Sequence, residues 1–451
     1  MKKITLALMS SFTLATFTFG ATLTNTVQNN SLVVYNSGIG LVHEERELSL
    51  KKSDTQIIYE DVAKSVHTDS INIDIAPEVT LYSQQYRFDA LTQNKLLEAN
   101  LGKKVEVRLL RNRNEFKIIT ATLLAHSGAN AIVRTLDYKI ITVKSSNVIF
   151  DEIPKELIIK PSLVWNIKAQ KDLETTLKLD YLLSGIHFES DYVLNIDGES
   201  ASLTGWISVD NRSGKSFEKT ELTVLAGDIQ RKPQVYANRL RKVAMMADAA
   251  PAVKEKAFEG YHIYTIPFKV TLANNEKTQI KFVQEANLSI QRLYSARLNN
   301  PLYMQGQSTA DVSQFIAFKG LGIPLPRGDV RIYSKLDKQT ILLGENRLEH
   351  TPKHTDIKLK TGTNFDIKVV QKVTKRDDSK SWFRADIAYS VKNSSDANKT
   401  VALVVPFNTN ENSKVQTDEN YTMTKGNLVT FSIDVAANTT KSFTVNYESK
   451  K

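Results

Sequence analysis

The sequence predicts an all-β chain: tandem antiparallel β-sandwich or barrel-like domains, with one short helix and a partly helical surface insertion. Three observations carry this prediction. Apolar and polar side chains alternate over most of the chain, the pattern of strands with one buried face. Asn, Gly and Asp recur between the alternating runs, as the turns of a β-sandwich require. The chain has no cysteine, so disulfides and thiolate metal sites are excluded and stability must rest on apolar cores.

Residues 1–20 read as a signal peptide. Lys2 and Lys3 precede an apolar run from Ile4 to Phe19, and Gly20 and Ala21 supply small residues at its end. Ser10, Ser11, Thr13, Thr16 and Thr18 interrupt the run, so it is a poor match to the ~20 largely apolar residues of a permanent span. Cleavage after Gly20 is expected, leaving a mature chain with no transmembrane span in the periplasm or cell envelope of a bacterium. The leader holds two lysines and no acid, so the mature chain keeps +8 of the formal +10. Spread over the chain, that excess suits loose contact with anionic lipid or polysaccharide. Without a dense basic stripe it argues against nucleic acid.

Four β-rich regions follow. In residues 21–101, "SLVVYNSGIGLVHEERELSL" holds two alternating runs around Asn36, Ser37 and Gly38, which predicts a hairpin. "DALTQNKLLEAN" predicts the helix, with Asp89 as N-cap, Leu96 and Leu97 on its apolar stripe and Gly102 just past its end. Residues 102–152 pack several short strands between polar turns, as a small barrel does. After a linker stiffened by Pro154 and Pro161, residues 160–298 carry longer strands, with Trp206, Val209, Leu222, Val224 and Ala226 marking two of them around the connection "DNRSGKS". Alanine, methionine and lysine dominate 231–257, where Pro251 blocks a continuous helix; this is the expected insertion. Residues 313–451 return to regular strands and predict a C-terminal sandwich.

The series "YLLSGIHFESDYVLNI", "ASLTGWISVDNRSGKSFEKTELTVLAGDIQ", "YHIYTIPFKVTL", "GLGIPLPRGDVRIYS" and "LLGENRLEHTPKHTDIKLKTGTNFDIKV" resembles the C-terminal domain of unknown function of mucoidy-inhibitor-type proteins, in order over about residues 180–450. "VVYNSGIGLVHEERELSL", with Leu96, Leu97 and Gly102, is similar to the N-terminal part of such chains. Members often carry a coiled coil where this chain has 102–150, and tend to have tryptophan where it has Phe188. The resemblance implies an all-β exported envelope protein and brings no catalytic residues with it.

"HFESDY" puts His187, Glu189 and Asp191 at period two, on one face of a strand, where they would ligate a metal or pair carboxylates; a solvated strand face gives the same pattern. His350 and His354 stand four apart, but Pro352 between them forbids the helix that would align them and leaves a turn. Arg327-Gly328-Asp329 matches an adhesion tripeptide, and Pro326 and Gly328 equally suit a tight turn. Asn287, Asn398 and Asn420 each sit in an acid-x-Asn-x-Ser/Thr context, the acceptor pattern of bacterial N-glycosylation. Trp165, Trp206 and Trp382 are candidates for a sugar platform, though tryptophan in β proteins is mostly core; Trp382 has the most polar neighbours.

No nucleophile elbow, HExxH or phosphate loop occurs in the sequence, so no catalytic, cofactor-binding or metal residue is assigned. The leading expectation is a non-enzymatic envelope scaffold or binding module with an envelope protein or polysaccharide as partner. The alternative is a hydrolase or lectin on envelope polysaccharide, with Glu189, Asp191 and Asp210 as first candidates for paired carboxylates.

Overall fold

The computed structural model describes residues 21–22, 27–112, 115–154, 156–226, 254–258, 261–407, 413–424 and 428–450. The expected signal peptide lies outside the described residues, as does the expected insertion over 231–253. Its last residues depart from the partly helical expectation: Lys254–Phe258 is a strand paired antiparallel with Tyr261–Thr265, whose extended backbone satisfies its hydrogen bonds. Strands account for 68% of the structure and helices for 4%, so nearly every core lies against a sheet face, as the alternation predicts. The described chain forms two compact units interleaved in sequence. The first draws on residues up to 187, 210–223 and 268–277; the second on 188–209, 224–267 and 278 onward.

The longest ladder of the first unit pairs Ile39–Leu50 with Leu173–Ser184, unbroken from Ile39 opposite Ser184 to Leu50 opposite Leu173. Asn29–Tyr35 joins through the expected hairpin, where Gly38 takes a φ of 82° that side chains resist. A second sheet runs Gln56–Glu60, Ser162–Ala169, Val79–Arg87, with Ala21–Thr22 parallel at its edge. Trp165 is buried there, edge-on to Tyr59 at 5.7 Å, and donates Nε1–H to Gln84 at 2.8 Å.

Residues 104–149 of the same unit form a separate sheet. Its order is Ile140–Lys144, Asn130–Thr135, Glu115–Ser127, Lys104–Asn112, Val148–Ile149. One face supplies a small core from Val105, Val107, Ala121, Leu123, Ala131, Val133 and Val143, closed by Leu97 from the helix Gln93–Ala99. Thr92, not Asp89, caps that helix: its side chain accepts from Lys95 N–H at 3.3 Å. Asp89 is engaged elsewhere, accepting from Ile158 N–H at 3.0 Å. A cap must sit next to the first helical turn, and Thr92 with its extended backbone is the residue so placed.

In the second unit the neighbours run Gln339–Leu348, Gly328–Leu336, Ile186–Asp197, Ser200–Asn211, Glu276–Arg297, Gln307–Lys319, Asp356–Asp378, Trp382–Asn393, Thr439–Lys450. The C-terminal part buries an aromatic core in which Tyr389 stacks on Phe443 at 5.1 Å and Phe407 lies against Tyr447 at 4.5 Å.

One corner is built twice. In the first unit Asn211, fully buried, donates Nδ2–H to the carbonyls of Lys215, Leu272 and Ala273 at 2.8, 3.0 and 3.3 Å and accepts at Oδ1 from Ser213 N and Oγ. In the second, Asn393 does the same to Ala397, Val435 and Ala436 at 2.9, 3.3 and 3.1 Å, with Ser395 in the place of Ser213. The motifs are "VDNRS" and "VKNSS", and each corner faces a turn with a left-handed asparagine, Asn275 (φ 63°) and Asn438 (φ 55°). A single carboxamide satisfies three carbonyls and a turn that would otherwise be buried unpaired. Replacing it leaves those groups stranded, so Asn393→Ala is expected to cost roughly 2–3 kcal/mol. Urea unfolding followed by near-ultraviolet dichroism measures this; a loss below about 0.5 kcal/mol, the scale of ordinary surface substitutions, would contradict the role given to the corner.

Candidate functional site

The polar row is where strand alternation puts it. In Ile186–Asp197 the odd-numbered positions face outward, leaving Glu189 exposed and His187 and Asp191 half-buried. Asp191 accepts from Ser208 Oγ at 2.8 Å, and Ser208 in turn accepts from Gln279 at 3.0 Å. Asp210 is held by both its oxygens to Arg212 Nε, at 3.0 and 3.1 Å. Among the described residues no group of three or more His, Asp or Glu side chains converges to hold a metal ion.

The remaining motifs resolve into structural roles. Gly328 opens a strand whose backbone runs so close to Ser190 that a Cβ would lie 2.0 Å from its carbonyl oxygen, so packing demands the glycine. Its neighbours in the tripeptide pair with Glu349 and Arg347, each at 3.6 Å. His350 and His354 lie in the segment joining two strands, His354 with a φ of 55° and His350 Nδ1 accepting from Arg327 N–H. Trp206 and Trp382 are half-buried, with Lys281 and Arg384 over their rings at 5.4 and 5.7 Å. Asn287, Asn398 and Asn420 are all exposed, Asn287 with a φ of 63° inside a strand.

The first unit also holds a charge cluster that the sequence reading missed. Val42, Glu44, Arg46, Leu48 and Leu50 form the inward row of one strand, and Glu44 and Arg46 are each only 1% exposed. Glu44 accepts from Arg46 at 2.8 Å and Tyr59 Oη at 2.7 Å, and pairs with Lys215 Nζ at 2.7 Å. Arg46 lies over the Tyr59 ring at 3.8 Å and donates to Glu60 O; Lys215 donates to Asp61 O. Burial alone would raise the Glu44 carboxyl, but the Lys215 ammonium and Arg46 guanidinium reverse that and hold it down to about 2. Burial and the Glu44 charge push the Tyr59 phenol far up, so it stays a donor. Sealed from substrate, this cluster fastens the fold.

The surface that remains to be explained is the outer face of the small sheet. Strand alternation there should place polar groups in water. Instead Leu110, Phe116, Ile118 and Ile140 stand on that face at 64, 60, 53 and 66% exposure, and Leu136 and Tyr138 in the adjoining turn reach 72 and 83%. Register pairs two of them directly, Leu110 facing Phe116, while Ile118 faces Arg108 and Ile140 faces Arg134. Two of the sheet's three hairpins, those turning between 112 and 115 and between 135 and 140, turn at this end. Arg108 lies over the Phe116 ring at 5.6 Å.

The turn is built to project Tyr138. Tyr138 N–H donates to Thr135 O at 3.0 Å, and Lys139 Nζ pairs with Asp137 at 2.8 Å. Hydrogen bonds from Lys139 and the Thr135 hydroxyl hold the Asp137 carboxyl down to about 2. Tyr138 has a φ of 61°, a left-handed conformation that glycine or asparagine adopts far more readily. A bulky ring held in that conformation and pointed at water is an outlier of the kind that clusters at binding surfaces.

The charge of the region completes the picture. Residues 103–150 hold nine lysines and arginines against three acids, a net +6 of the chain's formal +10. The basic excess, read from the sequence as evenly spread, is therefore concentrated on this sheet. The signals were present: a local charge count, and apolar residues in both parities of "VRLLRNRNEFKII".

No family model matches the chain, and no similar curated protein is found; the resemblance in the sequence rests on its motifs.

Glu44 makes a testable contribution to acid stability. Its folded pKa lies below the ordinary 4.5, so the stability it contributes is present above that value and lost as pH falls toward about 2. Glu44→Gln leaves Lys215 and Arg46 buried without their anion and is expected to cost about 3–5 kcal/mol at neutral pH. The same substitution should flatten the loss of stability between pH 4.5 and about 2. Urea midpoints across that range decide it: a variant as acid-sensitive as the parent would rule out Glu44 as the titrating group.

Proposed function

We propose that the chain is an exported, envelope-associated binding module, a non-enzymatic scaffold that presents the outer end of its small sheet to a partner. The observation that carries this reading is that six large apolar side chains of two hairpins of one small sheet stand in water beside a concentrated basic charge. Soluble proteins seldom leave contiguous apolar surface exposed unless something covers it. A surface of this kind supplies binding free energy and orientation. The signal-like leader and the motif resemblance to envelope proteins agree with that placement, and in this reading Asn287, Asn398 and Asn420 are glycan acceptors in hosts that possess the machinery.

Fractionation of cells expressing the tagged full-length chain tests the proposal. The parent should stay with the envelope, and F116S/L136S/Y138S should shift largely to the soluble fraction while melting as the parent does. Equal retention of the two would contradict the assigned surface. The intact mass of the exported chain reads the other two elements: a leader still attached would sink the assigned export, and an unmodified chain in a glycosylating host the assigned acceptors.

A further inference from the structure

We infer that the partner of the small sheet is an anionic phospholipid surface, into which Leu110, Phe116, Ile118, Leu136, Tyr138 and Ile140 insert while the surrounding cations meet the headgroups. This inference rests on the reading of that sheet end as a binding surface and adds what it binds.

Three features select lipid over a folded protein partner. The first is chemistry: the exposed groups are mainly aliphatic, with Phe116 and Tyr138 as the aromatics. Aliphatic side chains fit acyl chains, and a tyrosine with an apolar ring and polar tip suits the boundary between chains and headgroups. The second is charge complementarity. Arg108 and Arg134 lie directly across from Ile118 and Ile140 in the register, so each of these two isoleucines has a guanidinium beside it. Long basic side chains lay their stems along apolar surface and keep their charge at the headgroup level. The excess of +6 on 103–150 has one sign, as an anionic leaflet requires.

The third feature is geometry. The hairpins that carry these residues, turning between 112 and 115 and between 135 and 140, point to the same end of the sheet, so their apolar residues project in the same direction. The hydrogen-bonded turn around Asp137 fixes Tyr138 at the tip, so insertion would not have to order it first. No helix of the described residues is long and apolar enough to cross a membrane. The contact inferred is therefore shallow and reversible, the interfacial mode in which apolar side chains and basic charge cooperate.

The test is co-sedimentation of the purified mature chain with vesicles of phosphatidylglycerol and phosphatidylcholine in equal parts, against phosphatidylcholine alone. The parent should bind the anionic vesicles, lose binding as salt is raised, and bind the neutral ones weakly. F116S/L136S/Y138S should weaken anionic binding by about tenfold or more, since several buried methylene equivalents are removed. R108E/R134E should abolish the preference for anionic lipid. All five positions are exposed or on the outer face, so unchanged melting profiles will show that the variants fold. Absence of parent binding to anionic vesicles, or undiminished binding by the apolar triple variant, overturns the inference. If vesicle binding is absent while the parent is still retained in the envelope by this surface, the partner is a protein or glycan and the proposed function stands; loss of both removes both.

Discussion

Glu44 is an anion that water does not reach, and the first unit is arranged around the need to neutralise it. An isolated carboxylate in a protein core is prohibitive, whereas one with matched cations and hydrogen bonds is tolerated. Its partners come from three places in the chain: Arg46 from the same strand, Tyr59 from the neighbouring sheet, and Lys215 from the segment that returns at 210–223. The Lys215 contribution depends on local geometry. Asn211 grips the Lys215 carbonyl, and Gly214, with a φ of 83° and Lys64 pressed where its Cβ would be, makes the tight bend that sends the ammonium inward. A turn motif thereby determines whether a distant carboxylate is satisfied.

The second copy of that corner shows which part is general and which is particular. Asn393 and Ser395 reproduce the hydrogen bonds of Asn211 and Ser213, yet the residue four beyond is Ala397 in place of Lys215. The carboxamide corner is thus a device for ending one strand and starting the next. The lysine is an addition made where a buried anion requires it.

Much of this fold was legible because alternation reports directly on which face a sheet buries. The hairpin at Gly38, the helix with Leu97 inward and the strands around "DNRSGKS" follow from period two, period 3.6 and turn chemistry. What escaped has physical causes. Asp89 and Thr92 are both good cap residues by type, and what separates them is that Thr92 adjoins the first helical turn while Asp89 is taken by Ile158 N–H. Glu44 and Arg46 occupy an apolar row, a signal readable in "LVHEERELSL" once charges are counted in register. The insertion over 231–253 lies outside the described residues. The surface at Tyr138 was hidden for a different reason: apolar residues in a short barrel-like segment look like core until the structure shows that those of one face stand exposed.

The first unit combines a core fastened by buried charge with a small sheet whose outer end is apolar and basic. Hydrogen–deuterium exchange of the mature chain with and without phosphatidylglycerol vesicles tests that most directly. The account predicts slowed exchange confined to the hairpin ends around 108–118 and 134–141, with Ile39–Leu50 equally protected in both states. Slowed exchange elsewhere with those hairpin ends unchanged would contradict it.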